Sequence, residues 1–128
     1  MNRSPNRIFS FRFAFSGIWH MLRTQENAWI HSIVTVVVIG TGLWLGLSRL
    51  EWAMLLLAIG LVWASEFANT AIEAVIDLTS PEIHPLAKVS KDLAAGGVLV
   101  AAIVSAIVGL IVLGPPLWAK IGLLISDF

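Results

Sequence analysis

The chain has 128 residues, of which 58% are hydrophobic and 12% charged, and its formal net charge is zero. Soluble domains carry about a quarter charged residues, so this composition argues against a soluble globular domain, and charge balance gives no reason to expect a nucleic-acid partner. With no cysteine, disulfides and thiolate metal sites are excluded.

The length suits one small domain spanning residues 1–128. In chain order, residues 6–25 read first as an amphipathic surface helix. Phe9, Phe13, Ile18 and Leu22 share an apolar side, Arg7, Arg12 and Arg23 reach toward headgroups, and Trp19 sits at the interface. Arg12 interrupts the run Phe9–Phe15 and no cleavage pattern follows it, so this segment does not read as a signal peptide.

Three spans follow, expected over residues 28–48, 52–78 and 92–118, each long enough for the roughly 20 residues a bilayer core requires. In the first, Gly42-Leu-Trp-Leu-Gly46 matches a small-xxx-small packing motif. The short turn Ser48-Arg-Leu-Glu51 makes the first two spans antiparallel neighbours, with Trp44 and Trp52 near the outer interface. Thr79-Ser80-Pro81 should end the second helix, and Pro85 should keep the loop from becoming helical again until about Leu86. The third is expected to open at Lys91-Asp92, to present the small residues Ala94 to Gly97, and to close at Gly114-Pro115-Pro116. Arg3, Arg7, Arg12, Arg23, Lys88 and Lys91 fall on one side of these spans and Arg49 and Lys120 on the other. The positive-inside rule then places the N-terminus and the 79–91 loop in the cytoplasm.

The second span departs from a plain membrane helix. Apolar from Trp52 to Ser65, it then carries Glu66, Asn69, Glu73 and Asp77, three, four and four residues apart. On a helix they form one stripe, while Ala71, Ile72, Ala74, Val75 and Ile76 keep the other faces apolar. Ionisable groups inside a membrane segment are costly and point to function. Glu26, Glu82, His84, Lys91 and Asp92 are expected at the same depth. So many carboxylates need a counter-charge. Oxygen donors suit magnesium or calcium, with Lys91 as a point charge for a phosphate.

Taken singly, most of these residues have duller readings: Glu26 and Asp92 as negative charges at helix starts, Asn69 as interhelical glue, Asp77 as a partner of Lys88 or Lys91, and His84 as a loop residue. His31, five residues beyond Glu26, reads as a satisfied or interfacial histidine. Glu66 and Glu73 have no such cheap explanation. The residues alone give a membrane protein with a cytoplasmic carboxylate site, dependent on a divalent metal. No Walker A, GxGxxG or kinase catalytic-loop sequence accompanies it.

Glu66-x-x-Asn69-Thr-Ala-Ile-Glu73-x-x-x-Asp77, followed by His84-Pro-Leu-Ala-Lys88 and Lys91-Asp-x-Ala-Ala-Gly96, resembles the bacterial integral-membrane diacylglycerol and undecaprenol kinases, over most of the chain from Phe9 to Gly114. The resemblance implies an all-α membrane protein: a homotrimeric bundle of three-span subunits, each with a surface helix, and active sites shared between subunits in the inner membrane. It implies transfer of the ATP γ-phosphoryl group to a lipid hydroxyl, with magnesium. Glu66 falls at the general base, and Glu26 and Glu73 at the metal ligands, which also face nucleotide. Asp77, Glu82, His84, Lys91, Asp92 and, more distantly, Arg7 fall at nucleotide-facing positions, with Asn69 in support. Glu26-Asn27 with Ile30-His31, the Gly46–Trp52 turn and the His84–Lys88 loop resemble the undecaprenol branch more than the diacylglycerol branch. A small oligomeric transporter or channel, or a structural membrane subunit, is the competing class, since these too place carboxylates inside bundles.

Overall fold

The computed structural model describes residues 7–80 and 84–126, apart from the side chains of residues 7–9. Four helices follow one another: α1 (Arg7–Thr24), α2 (Glu26–Leu45), α3 (Arg49–Thr79) and α4 (Pro85–Ser126). The last three are each long and apolar enough to cross a membrane. Their outer faces carry large exposed apolar side chains, among them Val36, Leu43, Leu57, Leu99 and Leu110, as expected of helices whose surroundings are hydrocarbon or other helices rather than water.

α1 and α2 are separated by the single residue Gln25, in extended conformation (φ −105°, ψ 118°). At this corner Met21 and Ala28 are buried, and the Gln25 N–H donates to the Met21 carbonyl at 3.0 Å. Phe11, Phe13, Phe15 and Trp19 of α1 are all exposed, and the Arg23 guanidinium lies 4.7 Å over the Trp19 ring. α2 starts at Glu26, whose carboxylate sits in the first turn, where negative charge is favourable.

α2 ends three residues before the expected boundary. Gly46 takes a left-handed conformation (φ 71°), and the N–H groups of Gly46 and Leu47 turn back to the Gly42 carbonyl. The Gly42/Gly46 pair is thus not the helix-packing motif that its spacing suggests. Gly46 is the C-terminal cap, while Gly42 makes room for Trp52, whose ring would lie 2.9 Å from a Cβ at that position. α3 then opens with a capping box: the Glu51 N–H donates to the Ser48 hydroxyl and the Ser48 N–H to the Glu51 carboxylate.

α4 departs furthest from the expected span, extending beyond residues 92–118 at both ends. Helix resumes at Pro85 itself, within a residue of the expected Leu86 and six before the expected opening at Lys91, because the first helical position needs no N–H. His84 precedes it as a cap: its Nδ1 accepts the Leu86 N–H at 3.2 Å and its carbonyl accepts from Lys88 N–H. Pro115 and Pro116 lie inside the helix and do not end it; prolines are tolerated in membrane helices where other groups satisfy the freed carbonyls. Beyond them, the Lys120 ammonium donates to the Trp44 carbonyl at 2.6 Å and lies 4.8 Å over the Trp44 ring. That tie joins the far part of α4 to the carbonyl-rich end of α2.

α3 and α4 pack most extensively, and α2 meets both more lightly. The Ser105 hydroxyl donates to the Ala58 carbonyl across the α3–α4 contact at 2.8 Å. Between the three spans runs an apolar groove of about 660 Å³. α3, with 31 residues, is about 46 Å long at 1.5 Å per residue. A bilayer core is about 30 Å thick, so the polar end of α3 reaches past the hydrocarbon.

Candidate active site

The polar stripe lies on the last part of α3, and three different arrangements hold it. Glu66 is 2% exposed. Its Oε1 lies 3.0 Å from Nε2 of His31 on α2. The pair has a simple origin: with a short turn joining α2 to α3, His31 lies seventeen residues before Ser48 and Glu66 eighteen after it. Counting outward from the turn brings them to one level, as it does Thr35 and Trp63, whose indole N–H donates to the threonine hydroxyl at 3.2 Å. The Trp63 ring meets His31 edge-on, with centroids 6.3 Å apart.

His31 is indeed a satisfied histidine, as its sequence position suggests. What the sequence reading missed is that its partner is the stripe's most buried carboxylate. The signal was available in the nearly equal distances of the two residues from the turn.

One turn further along, the Asn69 amide donates to Glu73 Oε1 at 3.1 Å, so Asn69 braces its own helix rather than joining two. Asn69 Oδ1 and Thr70 Oγ1 are buried without a hydrogen-bond partner. Buried polar atoms left unpaired are costly. At the end of the stripe, Asp77 accepts from Lys91 Nζ on α4. That settles on Lys91 the pairing left open between Lys88 and Lys91. Lys88 instead bonds Asp92 within α4 at 2.6 Å, and Asp92, seven residues into that helix, does not sit at a helix start.

The other proposed residues are not drawn in. Glu26 is exposed and has no hydrogen bond or ion pair among the described residues. The His84 ring caps α4. Arg7 is the first residue of α1, and its side chain, like the whole of Glu82, lies outside the described residues. No three His, Asp or Glu side chains converge among the described residues. A magnesium ion held by one or two carboxylates and completed by phosphates and water needs no such cluster. By donor chemistry Glu26 and Glu73 are suited to it, each offering hard carboxylate oxygens, and among the described residues one oxygen of Glu73 is engaged, by Asn69.

The groove ends near this site. Ile30, His31 and Trp63 line one end, and Gly114 and Leu117 line the other. Glu66 is not among its lining residues; His31 stands between the two.

A sequence model of the family described as prokaryotic diacylglycerol kinase matches residues 12–113. The chain belongs to that family. It is therefore a lipid kinase, and its three apolar helices make it a multi-pass membrane protein. Among similar proteins, an undecaprenol kinase of Bacillus subtilis is 43% identical over 113 residues, covering 88% of this chain and 92% of its own. A diacylglycerol kinase of Synechocystis is 45% identical over 115 residues, covering 89% of this chain and 66% of its own. The Escherichia coli K12 diacylglycerol kinase is 31% identical over 111 residues, covering 81% and 85%.

Proposed function

We propose that this kinase transfers the γ-phosphoryl group of ATP to the hydroxyl of undecaprenol, with Glu66 as general base. The observation that carries the reading is Glu66 itself: a carboxylate buried in a membrane helix, with one oxygen bonded to His31 and the other without a hydrogen bond among the described residues. The acceptor oxygen attacks the γ-phosphorus, the bond to the β–γ bridging oxygen breaks, and ADP leaves. The hydroxyl proton passes to the free oxygen of Glu66. Magnesium, when bound, neutralises charge on the phosphates. On this reading Glu26 and Glu73 hold it, and Asn69 fixes the Glu73 carboxylate. Lys91, paired with Asp77 at the end of the stripe, offers a cation to the nucleotide phosphates. His84, which caps α4, and Asp92, farther along it, are assigned to the nucleotide by the motif that carries them, as are Arg7 and Glu82 by sequence alone.

The apolar groove offers the acceptor's hydrocarbon a path to the same neighbourhood, with its polar end at His31. The motifs shared with the membrane lipid kinases support a homotrimer, and the exposed apolar faces of the three spans leave room for neighbouring copies to pack against them. Basic residues before α2, and Lys88 and Lys91 in the first turns of α4, support an N-terminus and active site facing the cytoplasm from the inner membrane.

Undecaprenol is favoured by the motifs around Glu26, the Gly46–Trp52 turn and the His84–Lys88 loop, and by a match spanning 92% of the Bacillus relative. The similar identity to the Synechocystis protein keeps diacylglycerol as the second reading. The test is an acceptor panel with labelled ATP, magnesium and purified protein. Undecaprenol should be phosphorylated faster than diacylglycerol. The reverse ranking would exchange the two readings, and label in neither lipid would overturn the kinase mechanism.

A further inference from the structure

The geometry points to His31 as the positioning residue of the base, an inference that rests on Glu66 acting as proposed above. An ionised carboxylate only accepts hydrogen bonds, so at 3.0 Å the imidazole donates Nε2–H to Oε1. That bond occupies one oxygen and leaves the other without a hydrogen bond among the described residues. The imidazole is itself fixed. It is only 19% exposed in its side chain, it packs edge-on against Trp63, and Trp63 is anchored through its indole to Thr35.

The arrangement therefore runs from α2 to α3 and back: Thr35 holds Trp63, Trp63 holds His31, and His31 holds Glu66. No other hydrogen bond to Glu66 comes from among the described residues. Because His31 also lines the groove while Glu66 does not, the same side chain stands at the junction between hydrocarbon and base. A misplacement of about 1 Å in a reacting group costs on the order of a hundredfold in rate, so releasing Glu66 should reduce turnover while leaving ATP affinity intact.

The experiment compares His31→Leu, His31→Gln, Glu66→Gln and the double variant His31→Leu/Glu66→Gln in the purified enzyme with its preferred lipid. His31→Leu should lower kcat about a hundredfold with the KM for ATP unchanged. His31→Gln, which keeps an amide donor, should restore kcat to within about threefold of the parent. The double variant should be no slower than Glu66→Gln alone, because residues acting through one another are not additive. Retention of full kcat by His31→Leu would overturn the proposal. So would a His31→Gln as slow as the leucine variant with a normal melting temperature, or a double variant showing the product of the two single losses. If the parent enzyme phosphorylates no lipid, the underlying kinase mechanism fails instead.

Discussion

The two ends of the α3 stripe are built differently. Glu66 is enclosed and meets a neutral-capable partner on α2, whereas Asp77 is 66% exposed in its side chain and meets a lysine on α4. Isolated ion pairs in water contribute about 0–1 kcal/mol. A buried carboxylate deprived of its partner costs several times more. Four residues that look equivalent along one helix face thus fall into a deep end enclosed by the protein and a shallow end that water can largely replace. Asn69 and Glu73 link them: the amide is buried, and the carboxylate that it grips is half-exposed.

The largest effect should follow from changing the deep end. Glu66→Gln keeps the size of the side chain and removes its ability to take a proton. The rate of lipid phosphorylation should fall about 10²- to 10⁴-fold, the usual contribution of a positioned base, with nucleotide binding largely retained. Single-turnover transfer from labelled ATP, read beside equilibrium nucleotide binding, checks this. A near-normal rate would remove Glu66 from the base role and make its burial a structural matter.

Much of this division was legible in the sequence, and the reasons differ by residue. The three spans follow from apolar runs bounded by charges. The end of α3 follows from Thr79-Ser80-Pro81, and the stripe from its helical spacing. What escaped were features decided by position within an element. Pro85 reads as a breaker, yet at the first position of a helix it costs nothing, so α4 begins six residues before Lys91. Pro115 and Pro116 read as a stop, yet the helix continues to where Lys120 bonds Trp44. Gly42 and Gly46 have the spacing of a helix-packing pair, yet one is a cap and the other accommodates Trp52. His31 needed a partner 35 residues away, visible only by counting both strands of the hairpin from its turn.

An intermediate effect is expected at the link. Glu73→Gln keeps a carbonyl oxygen and loses the charge that would hold a divalent cation. The magnesium concentration for half-maximal activity should rise about tenfold or more, by analogy with the cost of losing one charged contact. Glu26→Gln should act in the same direction. Titrating magnesium at saturating ATP and lipid separates this from a loss of the base, since excess metal should recover part of the Glu73→Gln rate and none of the Glu66→Gln rate. Equal insensitivity of both variants to metal would erase the distinction between the middle of the stripe and its deep end.

The smallest effect belongs to the shallow end. Asp77→Asn removes the ion pair with Lys91, but both groups retain water. The stability loss should stay below about 1 kcal/mol, and kcat should change little. Lys91 would then be free of its carboxylate partner and closer in character to an exposed cation. If Lys91 meets nucleotide phosphate, the KM for ATP should therefore shift by a few fold at most, and the shift should diminish as salt screens the surface charges. Lys91→Ala provides the contrast, because it removes the phosphate's counter-charge as well as the ion pair, and should raise the KM for ATP more than Asp77→Asn does. A collapse of kcat in Asp77→Asn comparable with that of Glu66→Gln would show that exposure does not divide the stripe, and that Asp77 takes part in the transfer itself.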